Sequence, residues 1–221
     1  MRFPAGVISL SKKYRTIDYG RFEAAQGSIH YSMMPHHVKD ELDIIKLYAS
    51  EGMIIDATAN CGVTSVNVSI GLRRPVVSIE LDSDTFKALL NNADEFRKEA
   101  NISPIHGNSM EVLRGWEGKV DFVLVDAPWG GKGYDKVENL MLFLNDETGK
   151  PIPLHEVTNF IFQQTRCNHV ILKVPRNFDM STFTHHFNGN YTLHHILKKS
   201  LTQKEQFAEL IDYNFIVCQC N

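Results

Sequence analysis

The tetrapeptide Asp126-Ala127-Pro128-Trp129, followed by Gly130-Gly131, stands directly after the apolar run Val120–Val125. Its residue types suit one task. An amine attached to an aromatic ring is a poor nucleophile, because its lone pair is delocalised into the ring. A carboxylate and strand-end carbonyls can both accept the N–H bonds of such an amine and favour a lone pair aimed at an electrophile. Pro128 fixes φ and carries no N–H, which keeps the turn rigid. The ring of Trp129 can stack on a planar base, although a core tryptophan beside a turn is the plain structural alternative. No general base need act before attack, since the amine becomes acidic once alkylated. What remains is positioning, which supplies much of the rate of such a reaction. Asp126, Pro128 and Trp129 are therefore the candidate catalytic residues, with the carbonyls of Ala127 and Pro128 helping to hold the amine.

Three earlier segments offer a partner for this chemistry. Asp56-Ala57-Thr58-Ala59-Asn60-Cys61-Gly62 follows a short apolar run; small residues let the backbone pass close to a ligand, and Gly62 permits a tight turn. Glu80 ends a second apolar run, where a carboxylate can accept hydrogen bonds from ribose hydroxyls. A third run ends in His106-Gly107-Asn108-Ser109, where Asn108 could accept from an adenine amino group. The first loop has no G-x-G-x-x-G pattern, which weakens a nicotinamide-dinucleotide reading. S-adenosylmethionine (SAM) has no pyrophosphate, and its cationic methionine end suits Asp56. Asp56, Ala57, Gly62, Glu80, Asn108, Ser109 and Asp126 are thus candidate cofactor residues. Any one of them could be an ordinary cap or turn; on successive strand ends the ligand reading gains.

The elements that must position these residues alternate along the chain. The pattern predicts strands at Met53–Ala57, Val76–Leu81, Ile102–His106, Val120–Val125 and His169–Val174. Helices are predicted within residues 35–50 and over Val63–Leu72, Ser83–Ala100 and Leu154–Thr165, with closing strands at Tyr191–Leu197 and Tyr213–Gln219. Apolar strands alternating with helices indicate a doubly wound α/β fold with a mostly parallel sheet, whose ligands bind beyond the carboxyl ends of the strands.

The totals narrow the partners. A chain of 221 residues with 43% hydrophobic residues can bury one substantial core. A net charge of -3 and a pI of about 6.4 argue against gripping a long duplex and allow a small substrate or a nucleic-acid end. The 4 cysteines show no C-x-x-C spacing, and the histidine pairs His36-His37, His185-His186 and His194-His195 are poor chelators, so no metal is expected. No run approaches the roughly 20 apolar residues of a membrane span. The N-terminus lacks the apolar stretch of a signal peptide, so a cytoplasmic or nuclear location and no membrane partner are expected. Residues 1–34 read as an N-terminal arm packing on the active site, and 35–221 as the main domain. Oligomeric state is not legible.

The motif around Trp129 resembles the [D/N/S]-P-P-[Y/F/W] signature of methyltransferases that act on nitrogen in a planar system. The likeness to one family is closer. DAPWGGKGYDK resembles the SPPWGGPDY-type signature of the trimethylguanosine synthases, which methylate guanine N2 of a 7-methylguanosine cap. YSMMP (Tyr31–Pro35) resembles their W-F-S-x-T-P segment, and DATANCGVTSVNVSI their D-A-F-C-G-x-G-G-N-T-I-Q loop. LLNNAD (Leu89–Asp94) resembles A-R-N-N-A-E, KVPRNF (Lys173–Phe178) resembles x-L-P-R-N-x, and KKYRTIDYG resembles Y-R-L-F-S-R-x-D. The similarity covers roughly residues 12–180. Departures are equally specific: Asp126 stands where the family has serine, Ala127 where it has the first proline, His30 where it has tryptophan, and Asn108 where it has aspartate.

The resemblance implies a class I, Rossmann-like methyltransferase fold, with a mostly parallel seven-stranded sheet, an antiparallel last strand and a short N-terminal extension. It implies SAM as cofactor, with Tyr31 and Ser32 among the residues that contact it. It implies a 7-methylguanosine-capped RNA or cap nucleotide as partner, with Trp129 stacking on the cationic base and Arg176 and Asn177 contacting the cap phosphates. Two alternatives stay open: methylation of another nucleobase amine, such as adenine N6 or guanine N2 of structural RNA, and a cap-binding subunit without turnover.

Overall fold

The structure is a computed structural model that describes residues 7–8, 17–26, 38–197 and 211–220. Tyr31 and Ser32, with the whole Tyr31–Pro35 segment, lie outside the described residues.

The chain opens with the short antiparallel pair β1 (Val7–Ile8) and β2 (Ile17–Asp18), then a 3-10 turn at Tyr19–Arg21 and helix α1 (Val38–Tyr48). Then follow β3 (Met53–Asp56), α2 (Val63–Leu72), β4 (Val76–Glu80), α3 (Ser83–Glu95), β5 (Ile102–His106), α4 (Ser109–Arg114) and β6 (Val120–Val125). A 3-10 turn at Tyr134–Lys136 leads to the hairpin β7 (Phe143–Asn145) and β8 (Pro151–Pro153). The chain continues through α5 (Leu154–Thr165), β9 (His169–Pro175), α6 (Met180–His186), β10 (Gly189–Leu197) and β11 (Ile211–Cys220). Seven strands form one sheet in the order β10-β11-β9-β6-β3-β4-β5. The strands from β9 to β5 run parallel, while β11 is antiparallel to both β9 and β10. Strand order reverses between β3 and β6, the place where a doubly wound sheet opens its ligand crevice.

Alternation along each strand fills both faces. Ile54, Phe122, Leu124, Ile171 and Phe215 point to the layer that holds α1, α2 and α3. Ile55, Val123, Val125, Leu172 and Ile216 point to the layer that holds α4, α5 and α6. Helix α1 buries Val38, Glu41, Leu42 and Ile45, spaced as one helical stripe, so an acid sits inside an otherwise apolar face.

Helix α3 is shorter than the expected span of residues 83–100: it ends at Glu95, where Phe96 turns inward and its ring lies 4.4 Å from that of Phe22. Within residues 17–26, Ile17, Tyr19, Phe22 and Ala24 are buried in the core. The Tyr19 hydroxyl accepts from Asn67, Arg21 pairs with Glu95 and Glu99, and Asn92 Nδ2 links the Glu23 and Cys61 carbonyls. All four cysteines are free. No helix among the described residues is long and apolar enough to cross a membrane.

The amino end of β6 is pinned by a buried ion pair. The fully buried Asp121 accepts from Arg74 Nη1 at 2.5 Å, from the Ser50 backbone N–H at 2.8 Å and from Ser50 Oγ at 2.7 Å. Burial alone would raise the Asp121 pKa, but the bonds from Arg74 and Ser50 outweigh it and hold the carboxyl below its usual range. Asp121→Ala should cost about 3–5 kcal/mol, the usual penalty for stranding one partner of a buried pair. Urea denaturation at pH 7 measures it. The difference should shrink as pH falls below the ordinary aspartate value of about 3.9 and through the lower folded value.

Candidate functional site

The parallel strands β3, β4, β5 and β6 end together, and a single loop, residues 57–61, ties those ends to one another. Ala59 N–H donates to the Ile79 carbonyl at 2.9 Å. Glu80 Oε2 accepts from Asn60 N–H at 2.9 Å, Ser109 Oγ donates to the Ala57 carbonyl, and Asp126 N–H donates to Thr58 Oγ1 at 2.7 Å. Every candidate cofactor residue from the described strand ends is thus brought to one rim. Gly62 follows the loop at φ +86°, a conformation that favours glycine, and a Cβ there would also have to displace Leu89 Cδ1, 2.6 Å away.

Asp56 is buried. It accepts from Ser65 Oγ at 2.6 Å and from Thr58 N–H at 3.3 Å, while Ser78 Oγ donates to Ser65 Oγ at 2.8 Å. Burial pushes its pKa up to about 6 against those hydrogen bonds, with further repulsion from Asp126 and Glu80. A cation arriving at this rim would relieve that repulsion, so the position fits the ammonium end of SAM. Glu80 is half-buried and accepts from Asn60 N–H and, through Oε1, from Asp82 N–H at 2.7 Å. Each of its oxygens keeps a lone pair for a ribose hydroxyl. Burial raises its pKa as well.

Asn108 has a different local task from a free adenine acceptor. It caps α4: its Oδ1 accepts from Met110 N–H at 2.9 Å and Glu111 N–H at 3.3 Å, and its amide donates to the Asn145 and Asp146 carbonyls. Both lone pairs of Oδ1 are engaged, so an adenine amino group would have to displace the longer bond, the one to Glu111.

Asp126 lies one residue past β6. The register pairs Val125 with Leu172, which sets Asp126 beside Lys173 of β9. Lys173 Nζ is 3.2 Å from Asp126 Oδ2 and 3.6 Å from Glu41 Oε1, and it sits 4.9 Å above the ring of Tyr213. The Tyr213 hydroxyl donates to Glu41 Oε1, whereas Glu41 Oε2 is buried with no hydrogen-bond partner among the described residues. Burial raises the Asp126 pKa and Lys173 opposes the rise. Burial likewise raises Glu41, again opposed by Lys173. Burial would lower the Lys173 pKa, but the two carboxylates outweigh it and keep the ammonium charged.

Trp129 packs against both core layers and is only partly buried. Tyr134 meets it edge-on at 5.2 Å and Tyr213 lies tilted at 6.3 Å. Its buried indole N–H has no hydrogen-bond partner among the described residues but stands close enough to Asp126 to favour the carboxylate form. Pro128 is exposed at the turn. Asn177 donates from Nδ2 to the Tyr134 and Val137 carbonyls at 2.7 and 2.6 Å, so it braces the turn that carries Tyr134. Arg176, beside it, is exposed.

Sequence reading alone did not identify Thr58, Ser65, Glu41, Lys173 as an ion-pair member, or Tyr213. A signal existed for two of them: Lys173 is the one cation inside the apolar run from 169 to 175, and Glu41 falls on the buried stripe of α1. Among the described residues, no group of three or more His, Cys, Asp or Glu side chains is placed to hold a metal ion.

If Asp56 serves the cofactor's ammonium, SAM affinity should fall up to about tenfold for each pH unit below about 6, as the carboxyl protonates. Calorimetric titration with SAM between pH 5 and 8 reads this. Asp56→Asn should bind SAM more weakly at pH 7 and lose most of the pH dependence.

A family model described as RNA cap guanine-N2 methyltransferase matches residues 51–212. Protein L320 of Acanthamoeba polyphaga mimivirus, described only as uncharacterized, is 29% identical over 132 residues, which cover 59% of this chain and 49% of that protein. The match thus spans about half the length of that relative. Solved structures share the fold at low identity. The precorrin-6y C5,15-methyltransferase of Geobacter metallireducens GS-15 aligns with a TM-score of 0.59 at 12% identity, over 90% of this chain and 94% of that one. A SAM-dependent methyltransferase of Agrobacterium tumefaciens aligns at 0.58 and 13% identity, over 86% and 63%. An rRNA methylase of Streptococcus thermophilus aligns at 0.53 and 9% identity, over 86% and 100%.

Proposed function

The chain belongs to the RNA cap guanine-N2 methyltransferase family, whose members are SAM-dependent enzymes, and from that premise we propose that it methylates the exocyclic N2 of a 7-methylguanosine cap. The observation that carries the reading is the placement of the Asp126 carboxylate and the Trp129 ring together at the end of β6, next to the strand end that bears Asp56. SAM supplies an electrophilic methyl group on a sulfonium. Asp56, Ala57, Gly62, Glu80, Asn108 and Ser109 would hold it, and the family resemblance adds Tyr31 and Ser32 to its contacts. Asp126 accepts one N–H of the base's amine, and the Ala127 and Pro128 carbonyls accept the other. The lone pair is then directed at the methyl carbon. Once the amine carries the methyl group it is acidic, and the Asp126 carboxylate is placed to take its proton.

Trp129 provides the floor for the base. A 7-methylguanine is cationic, and a cation on an indole face is favoured by about 0.5–2 kcal/mol according to its desolvation. Tyr134 and Asn177 hold that floor at its angle. Arg176, exposed beside Asn177, would meet cap phosphates, for which its forked guanidinium is well shaped. Asn177 acts on that end through the turn it braces. In this reading residues 1–34 are an N-terminal extension and residues 35–221 the methyltransferase domain, acting in the cytoplasm or nucleus.

One observation favours a second reading. An aspartate in the first motif position, where the family resemblance has serine, is also what an adenine-N6 enzyme would use. Methyl transfer from labelled SAM to 7-methylguanosine diphosphate, with guanosine diphosphate and an adenine oligonucleotide alongside, separates the two. Product with the 7-methylated nucleotide alone supports the cap reading, and its mass counts the methyl groups. Product with adenine alone replaces it with the second. Trp129→Ala should weaken binding of 7-methylguanosine diphosphate by at least about tenfold, given the stacking and cation contributions, and leave SAM binding within a few-fold. Fluorescence titration with each ligand checks this.

A further inference from the structure

The methyltransferase reading uses Asp126 but leaves two buried charges unexplained. Lys173 and Glu41 come from β9 and α1, distant in sequence, and meet behind Asp126. We propose that Lys173, anchored by Glu41 and Tyr213, is the positioning residue that holds the Asp126 carboxylate in one orientation as acceptor for the substrate's amine. This rests on the amine-methylation reading.

The geometry is specific. Lys173 takes Oδ2 of Asp126 at 3.2 Å, which leaves Oδ1 for another donor. Its own position is fixed from behind by Glu41 Oε1 at 3.6 Å and by the Tyr213 ring at 4.9 Å. Tyr213 is itself held by its hydroxyl bond to Glu41, and its ring leans on Trp129. The same residues therefore set the directions of both the amine acceptor and the stacking floor. Glu41 and Lys173 touch neither base nor cofactor in this scheme. An ion pair kept only for stability would be costly in such a place, since apolar residues of similar volume usually serve as well or better. Glu41 Oε2, with no hydrogen-bond partner among the described residues, shows that the arrangement is not optimised for stability alone.

The groups facing Asp126 fix the direction of its response to pH. Lys173 on β9 favours the charged carboxylate, as does the Trp129 indole N–H. Asp56 on β3 and Glu41 on α1 are like charges that it repels. Removing Lys173 leaves burial and repulsion opposed by the Trp129 indole N–H alone, so Asp126 must protonate at higher pH. An Asp126 that carries a proton accepts less well, and the acid limb of the rate profile moves with it. The expected upward shift is about one to three pH units, the range for losing an adjacent opposite charge.

The test uses Lys173→Met, Lys173→Arg and Glu41→Gln, with Asp126→Asn to assign signals. Carbon-13 carboxyl spectra of the free protein report the Asp126 titration without any substrate. Rates of methyl transfer to 7-methylguanosine diphosphate from pH 5 to 9 report function. Lys173→Met should move the Asp126 titration and the acid limb upward together and lower kcat at pH 7 by about tenfold or more, as for other displaced catalytic groups. KM for SAM should stay near wild type, and Lys173→Arg should restore most of the acid limb. If Lys173→Met does not fold, Glu41→Gln decides: it removes a like charge behind Lys173, so the Asp126 titration should move down while kcat falls. An unmoved Asp126 titration in Lys173→Met, or in Glu41→Gln where Lys173→Met does not fold, overturns the proposal, as does an unchanged kcat and acid limb in that variant. If the wild type methylates no cap nucleotide, the cap reading fails, yet the carboxyl titration still shows whether Lys173 holds Asp126.

Discussion

Much of this site depends on how one buried ammonium is shared among carboxylates. Asp56, Asp126 and Glu41 are brought close by β3, β6 and α1, and burial pushes the pKa of each upward. Lys173 is the cation that two of them share. In a medium of low dielectric such charges interact strongly, and an uncompensated one is expensive. The cluster therefore leans negative, most of all at Asp56, which has hydroxyl and amide donors but no cation against it. A pocket with that bias favours cationic ligands. The sulfonium and ammonium of SAM are cations, and so is the 7-methylated purine of the proposed substrate, so the local field suits all of them although the whole chain is only slightly acidic.

The second constraint is rigidity of the 57–61 loop. Its backbone and Thr58 side chain bond to Glu80 of β4, to Ser109 just after β5 and to Asp126 just after β6, and the turn into α2 passes through Gly62 in a left-handed conformation that favours glycine. Bonds made before a ligand arrives do not have to be formed at its entropic expense, which is the advantage of a preorganised site. Because those bonds join β3, β4, β5 and β6, movement of the loop would disturb both the cofactor rim and the amine site. The two halves are mechanically one object.

Much of this was legible in the sequence, and the reason is local. Strands such as Ile102–His106 and Val120–Val125 and helices such as Val63–Leu72 and Leu154–Thr165 are continuous patterns, and the structure gives them the same bounds. The strand-end residues followed from those runs. Shorter elements escaped. The β7–β8 hairpin contains Pro151 and Pro153 in a strand of three residues, and α4 and α6 are six and seven residues long, too short for periodicity to show. Long-range pairing escaped for a different reason. Nothing near Lys173 announces that Glu41 will stand behind it, because that contact joins the first helix to the fifth parallel strand of the sheet. Asn177 illustrates the same limit: next to an exposed Arg176 it reads as a ligand contact, and only the fold reveals that its amide is bonded to the Tyr134 turn.

The exchange of serine for aspartate at position 126 can be understood in these terms. A neutral hydroxyl at a buried strand end needs no counter-charge. A carboxylate there gains acceptor strength, but its ionised form is penalised by burial and by Asp56 nearby. It is a useful acceptor near neutral pH only if something keeps it charged. Lys173 does so from the adjacent strand, and it is itself kept charged by its second carboxylate, Glu41. Asp126, Lys173 and Glu41 are therefore one unit rather than three independent choices. Each makes physical sense only with the others present, and the register of β6 with β9 is what brings the first two together.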